Sequence, residues 1–158
     1  MIVMEKFEYF EDFKLEEFKN IFTEYYLGEG ISLSKDTKVF DEIENSSKTQ
    51  GTKCLVCKIE NKIVGFILFR IVKLYDSKKF FKYCFGYIEE LYVKKEHRNK
   101  HIATKLIDTF ENYLKQNNVN VAMLTAEEKV YNFYINKGFK EEKSMFCANN
   151  LKCFIKNL

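Results

Sequence analysis

The stretch Glu90 to Leu106, ELYVKKEHRNKHIATKL, decides how this chain is read. Its first residues close a run, Tyr83 to Val93, whose apolar and aromatic content predicts a strand. A basic loop follows. From Ile102 the apolar positions change period, to 102, 103, 106, 107, 110, 113 and 114. That spacing predicts an amphipathic helix, ended by Asn117 and Asn118. A helix N-terminus offers free N–H groups and the positive end of the helix dipole. Lys94, Lys95, Arg98, Lys100 and Lys105 add charge around it, and Ala103 is small enough at the first turn for a ligand to approach the backbone. Together these predict a phosphate site, most simply for a pyrophosphate. On residue types alone the stretch serves equally as a solvated basic loop capping an ordinary helix.

The chain to either side reads as a run of short elements. Ile2 to Glu8 predicts a first strand. Asp12 is a candidate N-cap for a helix on which Phe18, Ile21, Phe22, Tyr25 and Tyr26 recur, ending near Gly28 and Gly30. A shorter helix follows Asp36, with Val39, Phe40 and Ile43 on one face, and the polar run Asn45 to Lys53 reads as a loop. Cys54 to Ile59 and Ile63 to Val72 read as a β-hairpin with Asn61 as the turn residue. The second of these, IVGFILFRIV, is apolar on both faces, as a central strand would be. Lys73 to Lys82 reads as a charged loop. Beyond the long helix, Val119 to Leu124 is a short strand, and Val130, Phe133 and Tyr134 lie on a short helix that Gly138 closes. Phe139 to Leu158 holds two strands about the turn Asn149–Asn150. The order β-α-α-β-β-β-α-β-α-β-β, without repeat, low-complexity segment or linker, predicts one α/β domain over residues 1–158.

The totals agree with a single soluble domain. At 158 residues, 46 % apolar and 31 % charged, the chain can bury one sizeable core. A formal charge of +3 is too small to argue for nucleic acid by itself. Five scattered cysteines, at 54, 57, 84, 147 and 153, suit a reducing compartment better than a disulfide framework. Cys54 and Cys57 form a CxxC with no second pair, on a predicted strand where positions three apart face opposite ways, so no metal site is expected. No run approaches the about 18 apolar residues that span a membrane. The N-terminal MIVMEKFEYFEDFK lacks a signal-peptide pattern, so a cytoplasmic location is expected.

The segment Arg98-Asn99-Lys100-His101-Ile102-Ala103 resembles the acyl-CoA-binding motif of the GNAT superfamily of N-acyltransferases, Arg/Gln-x-x-Gly-x-Gly/Ala after a strand ending in a Tyr-Val-like pair. VYNFYINKGF, Val130 to Phe139, is similar to that family's short helix ending in Tyr-x-x-x-Gly-Phe. The resemblance covers nearly the whole chain and is strongest from Gly86 to Phe139. It implies an α/β (α+β) fold with a central mixed, mostly antiparallel sheet flanked by helices. It also implies an N-acetyltransferase that carries an acetyl group from acetyl-CoA to a primary amine by direct attack in a ternary complex. Neither a metal nor a cysteine acyl carrier is then needed.

The same resemblance implies roles for particular residues. Leu91, Tyr92 and Val93 would lend backbone groups to the pantetheine arm, which adds to the sheet like an extra strand. Arg98, Asn99, Lys100, His101, Ile102, Ala103 and Thr104 would cradle the pyrophosphate. Tyr134 would lie near the sulfur, also contacting the cofactor, and protonate the departing thiolate. The thioester would lie between diverging strands, Tyr83–Val93 and Val119–Leu124. Glu89 resembles one of the acidic pair of polyamine-acetylating members and would be the base. Glu89 and Glu90 are adjacent on a strand, so at most one should point into a given cleft.

Two positions depart from the family. His101 replaces the first motif glycine. Its side chain would crowd the pyrophosphate, donate to it, or point to solvent. Glu127 stands where the family often has a cofactor-contacting Asn, so that contact is not carried over. These departures keep open a CoA-binding regulatory or sensor module without catalysis. A nucleic-acid-binding domain lacks a supporting motif. The acceptor would be a small-molecule amine, or a peptide N-terminus or lysine. Aromatic residues (Phe22, Tyr25, Tyr26, Phe80, Phe81, Phe146) and acidic ones (Glu24, Glu29, Asp41, Glu42, Glu44) would line its pocket. Relatives are often homodimers.

Overall fold

The computed structural model describes residues 3–33, 37–78, 81–144 and 151–158. In chain order the elements are β1 (Glu5–Phe10), α1 (Glu16–Gly28), α2 (Val39–Thr49), β2 (Lys53–Ile59), β3 (Lys62–Asp76) and β4 (Phe81–Val93). After them come α3 (Ile102–Gln116), β5 (Val121–Ala126), α4 (Tyr131–Asn136), β6 (Lys140–Glu141) and β7 (Lys152–Asn157). This is the order the sequence predicts, with short 3₁₀ turns at Lys95–His97 and Glu128–Val130. The strands form one mixed sheet in the order β1-β2-β3-β4-β5-β7-β6. β4 and β5 run parallel, while β1 with β2, β5 with β7 and β6 with β7 are antiparallel.

Several boundaries move for local reasons. Asp12 does not cap α1: its carbonyl accepts Leu15 N–H in a turn, and the helix starts at Glu16. Phe13, buried in that turn, anchors the entry instead. The polar run after Ile43 is helical as far as Thr49. Lys48 pairs with Glu44 at i,i+4, and Thr49 Oγ1 donates to the Asn45 carbonyl at 2.8 Å. The expected cap Asp36, the turn Asn149–Asn150 and the aromatics Phe80 and Phe146 lie outside the described residues, as does the side chain of Phe81. β3 reaches Asp76 and β4 starts at Phe81, so both extend into the charged stretch Lys73 to Lys82, where Lys73, Leu74 and Tyr75 are exposed. β5 starts later than expected. Asn118 is left-handed (φ 58°), and Val119 N–H donates to the Leu114 carbonyl at 2.9 Å, closing the C-terminus of α3. Between β2 and β3, Glu60 and Asn61 both have positive φ, the two-residue hairpin turn that Asn61 announces.

The chain divides into two compact units, each drawn from two stretches. The first comprises Met1–Leu68 and Glu90–Ile107. Its core is aromatic: Phe18 and Phe22 of α1, Phe13, Phe40 of α2 and Phe66 of β3 are all buried. Phe22 stacks on Phe66 with centroids 5.6 Å apart, and Phe18 meets the same ring at 5.7 Å. Such pairs contribute about 0.5–1.5 kcal/mol each beyond their area. Cys54 and Cys57 are buried thiols of β2. The second unit comprises Phe69–Glu89 and Asp108–Leu158. There Phe69 packs on Phe110 and Tyr113 of α3, and Tyr131 of α4 on Phe154 of β7. Glu111, buried on α3, is paired by Lys156 of β7 at 2.7 Å.

Candidate active site

In the first unit, β4 delivers the chain into the basic loop. Lys94 N–H donates to the Val64 carbonyl at 2.8 Å, so the strand is held against β3 to its last residue. Gly65 makes the close approach possible. A Cβ there would sit 3.1 Å from the Tyr92 carbonyl oxygen and 3.2 Å from a Val93 methyl. After the 3₁₀ turn the backbone is left-handed at Asn99 (φ 64°) and again at His101 (φ 63°). The His101 carbonyl then accepts Lys105 N–H at 3.0 Å, opening α3. His101 thus holds a conformation that glycine favours. Lys100 and His101 are exposed, Ala103 and Thr104 half-buried, and Ile102 is buried as the anchor of the first turn. The N–H groups of that turn have no partner within the helix by geometry, beside a loop carrying Lys95 and Lys100. This is the chemistry of an anion cradle.

Two of the expected cations are engaged elsewhere. Arg98 Nε donates to the Val93 carbonyl at 2.9 Å, and its guanidinium carbon lies 5.5 Å from the centre of the Tyr92 ring. Arg98 therefore ties the loop to the end of its strand. Lys105 pairs with Glu5 of β1.

The adjacent carboxylates of β4 belong one to each unit, and each has its own partners. Phe66 packs on α1, whereas a Cβ on Gly65 would meet Ile102 of α3. Tyr92 packs on Phe66 and on Tyr25 of α1, and Glu90 accepts hydrogen bonds from Tyr25 and from Tyr26 (3.4 Å for the latter). Glu90 thus leaves the strand away from α3. In the second unit Phe69 packs on α3, so Arg70 points away from it, and Glu89 pairs with Arg70 at 2.8 Å.

Their surroundings differ. Burial holds the Glu89 carboxyl above the usual carboxylate range, and the Arg70 guanidinium pulls it back. Around Glu90, burial first and then the carboxylate charge push up the phenol of Tyr26 to about 12, and that of Tyr25 also rises. Tyr92 is raised by burial and by Glu24, with Arg98 opposing. Asp41 is engaged with Lys14 and Glu44 with Lys48. Both are among the acidic residues expected to line a pocket. The grip of Tyr25 and Tyr26 on Glu90 was not foreseen. The Arg70–Glu89 pair was signalled only by one cation in the otherwise apolar run Ile63 to Val72.

Also in the second unit, β4 pairs with β5 at Gly86–Ala122 and Tyr87–Met123, and Tyr87 Oη lies 3.4 Å from Thr125 Oγ1. β5 continues to Ala126 paired on its other side with β7. Tyr134 of α4 is 8 % exposed, its ring edge-on to Phe133 and Phe139. Gly138, at φ 92°, closes the helix as expected, and Phe139 N–H returns to the Tyr134 carbonyl at 3.0 Å. Glu127 is exposed and pairs with Lys129 at 3.3 Å. Among the described residues no helix is long and apolar enough to cross a membrane, and no group of three or more potential ligands is placed to hold a metal ion.

A model of the acetyltransferase (GNAT) family matches residues 15–139. The chain belongs to this family. Its fold is similar to a predicted acetyltransferase from Clostridium acetobutylicum solved with acetyl-CoA, at 19 % identity and a TM-score of 0.76, over 92 % of this chain and 96 % of that one. It is also similar to a GNAT-family acetyltransferase from Staphylococcus aureus Mu50, at 22 % identity and a TM-score of 0.74, over 98 % and 99 % of the two chains. A third is the PaiA N-acetyltransferase of Thermoplasma acidophilum in complex with coenzyme A, at 16 % identity and a TM-score of 0.63, over 97 % and 99 %. At these identities the likeness is one of fold. No curated protein matches the sequence. The GNAT fold accounts for the seven-stranded mixed sheet and four helices of the described residues, and for the strand–loop–helix at Glu90 to Leu106.

Proposed function

We propose that this GNAT-family chain is a single N-acetyltransferase domain over residues 1–158, transferring an acetyl group from acetyl-CoA to a primary amine. The observation that carries this reading is the loop into α3. Its backbone is left-handed at Asn99 and His101, directly before unpartnered helix N–H groups. The relatives solved with acetyl-CoA and with coenzyme A support the choice of ligand. In this reading the amides of Ile102, Ala103 and Thr104, with Lys100 and the loop at Asn99 and His101, hold the pyrophosphate. Arg98 keeps the loop in place, and Leu91, Tyr92 and Val93 offer backbone groups to the amide-rich arm.

The chemistry assigned to the chain is proton handling. Glu89 takes a proton from the acceptor ammonium, directly or through water, to free the nitrogen lone pair. The C–N bond forms and the C–S bond breaks. The Tyr134 phenol gives its proton to the departing thiolate and is restored as the nitrogen sheds its second proton. The sum is one amide, one free thiol and one proton released. The acceptor is a small-molecule amine, or a peptide N-terminus or lysine.

The test is a screen of amines with acetyl-CoA, monitoring free thiol, repeated with Tyr134→Phe. Loss of an acceptor's turnover by about 10²-fold or more is expected if Tyr134 is the acid; an unchanged rate removes that assignment. One observation favours a second reading, a CoA-binding sensor: the Tyr134 ring is largely buried against Phe133 and Phe139. Tight CoA binding without product across the whole panel would decide for the sensor.

A further inference from the structure

β3 is buried without a break from Ile63 to Phe69, and Arg70 is the first side chain to leave that run. Its Nε reaches Glu89 Oε1 at 2.8 Å, with the two side chains 31 % and 25 % exposed. Among the described residues Arg70 is the one charged group acting on Glu89. A guanidinium does not lose its proton in a protein, so this positive charge is permanent.

We propose that Arg70 is a positioning residue for acyl transfer: its fixed positive charge, in contact with Glu89, stabilises the carboxylate form of that base. The inference rests on the reading of Glu89 as the base. A half-buried carboxylate is penalised for carrying charge, and the neighbouring cation offsets that penalty. Without Arg70 the penalty stands unopposed and Glu89 binds its proton more tightly. A base that holds its proton to higher pH shifts the acid limb of the rate profile upward.

The experiment measures kcat/KM against pH for the wild type, Arg70→Gln, Arg70→Lys and Glu89→Gln, with the acceptor from the amine screen. In parallel, carbon NMR follows titration of the Glu89 carboxyl, assigned by its loss in Glu89→Gln. Arg70→Gln is expected to move the acid limb and the carboxyl titration together, upward by about one pH unit or more. Arg70→Lys should restore most of both. If Arg70→Gln fails to fold, Arg70→Met, which keeps the apolar stem, takes its place. An unmoved carboxyl titration, or an unmoved limb, overturns the proposal. Glu89→Gln separates the two ideas. A large loss there with neither readout moved in Arg70→Gln sinks the positioning role alone. A wild-type profile in Glu89→Gln sinks the base itself and the proposal with it.

Discussion

Substitution at His101 tests the phosphate loop directly. His101 is left-handed at φ 63°, a conformation that costs an L-residue about 1–2 kcal/mol. Glycine escapes that cost but brings about 0.5–1 kcal/mol of extra chain entropy to the unfolded state. The two nearly cancel, so His101→Gly should change the unfolding free energy by less than about 1 kcal/mol, or about 2–4 °C in Tm. Asn tolerates the left-handed region and should behave like Gly. His101→Val is different, because a β-branched residue at positive φ is a genuine outlier. The loop must either bear the strain or rearrange to negative φ, and rearrangement would aim the first N–H groups of α3 elsewhere. Strain of about 2 kcal/mol, felt only in the ligand-competent geometry, corresponds to roughly 30-fold in Kd. Calorimetry with CoA should therefore rank Gly and Asn at or tighter than His, with Val weaker by about that factor. Pantetheine, which lacks the pyrophosphate, should bind all four alike. If Val binds CoA as tightly as the wild type, or loses pantetheine affinity equally, the left-handed backbone is not what holds the phosphates.

Two further expectations concern the frame around the site. A Cβ on Gly86 would lie 2.3 Å from both δ-carbons of Leu114, so Gly86→Ala should cost about 1–3 kcal/mol in denaturant unfolding. Adding Leu114→Ala should recover part of that cost, and strictly additive losses would contradict the clash. The raised phenol of Tyr26, at about 12, means that the folded state holds this proton more tightly than the unfolded chain. Its contribution to stability is complete below the unfolded tyrosine pKa of about 10 and is lost as pH rises through about 12. Ultraviolet titration should find Tyr25 and Tyr26 un-ionised at pH 10, and Glu90→Gln should bring both down. Ionisation of all ten tyrosines near pH 10 would contradict the Glu90 cluster.

Periodicity made the element order legible, because each helix and strand buries one stripe or face and the apolar residues mark it. α3 shows this best: Ile102, Leu106, Ile107, Phe110 and Leu114 are all buried. Element ends were less legible, since hydrogen bonds of polar groups set them. The Asn45 to Thr49 turn of α2 carries no apolar stripe and is held by Thr49 and Lys48. The strand–loop–helix at Glu90 to Leu106 could be read from charge and from the switch of period. The pairings Arg70–Glu89 and Tyr25–Glu90 could not, because they join residues 19 and 65 positions apart through strand neighbours and a helix.

His101 holds a backbone conformation that glycine would adopt more readily. A lone residue in solution would leave the left-handed region for a better basin. Here both flanks are pinned. On one side Arg98 fastens the loop to the Val93 carbonyl and lies over Tyr92, while Lys94 is bonded to Val64. On the other, Ile102 is buried and the His101 carbonyl already opens the helix. The chain between these fixed points must reverse within a few residues, and positive φ at Asn99 and His101 does so. Strain at a single residue persists when its surroundings over-determine it. The expected consequence is that loosening a flank matters more than restoring the glycine. Arg98→Gln should weaken CoA binding more than His101→Gly strengthens it, and His101→Gly in the Arg98→Gln background should give back little. Full recovery of affinity in that double variant would show that the residue at 101, and not its anchors, sets the loop.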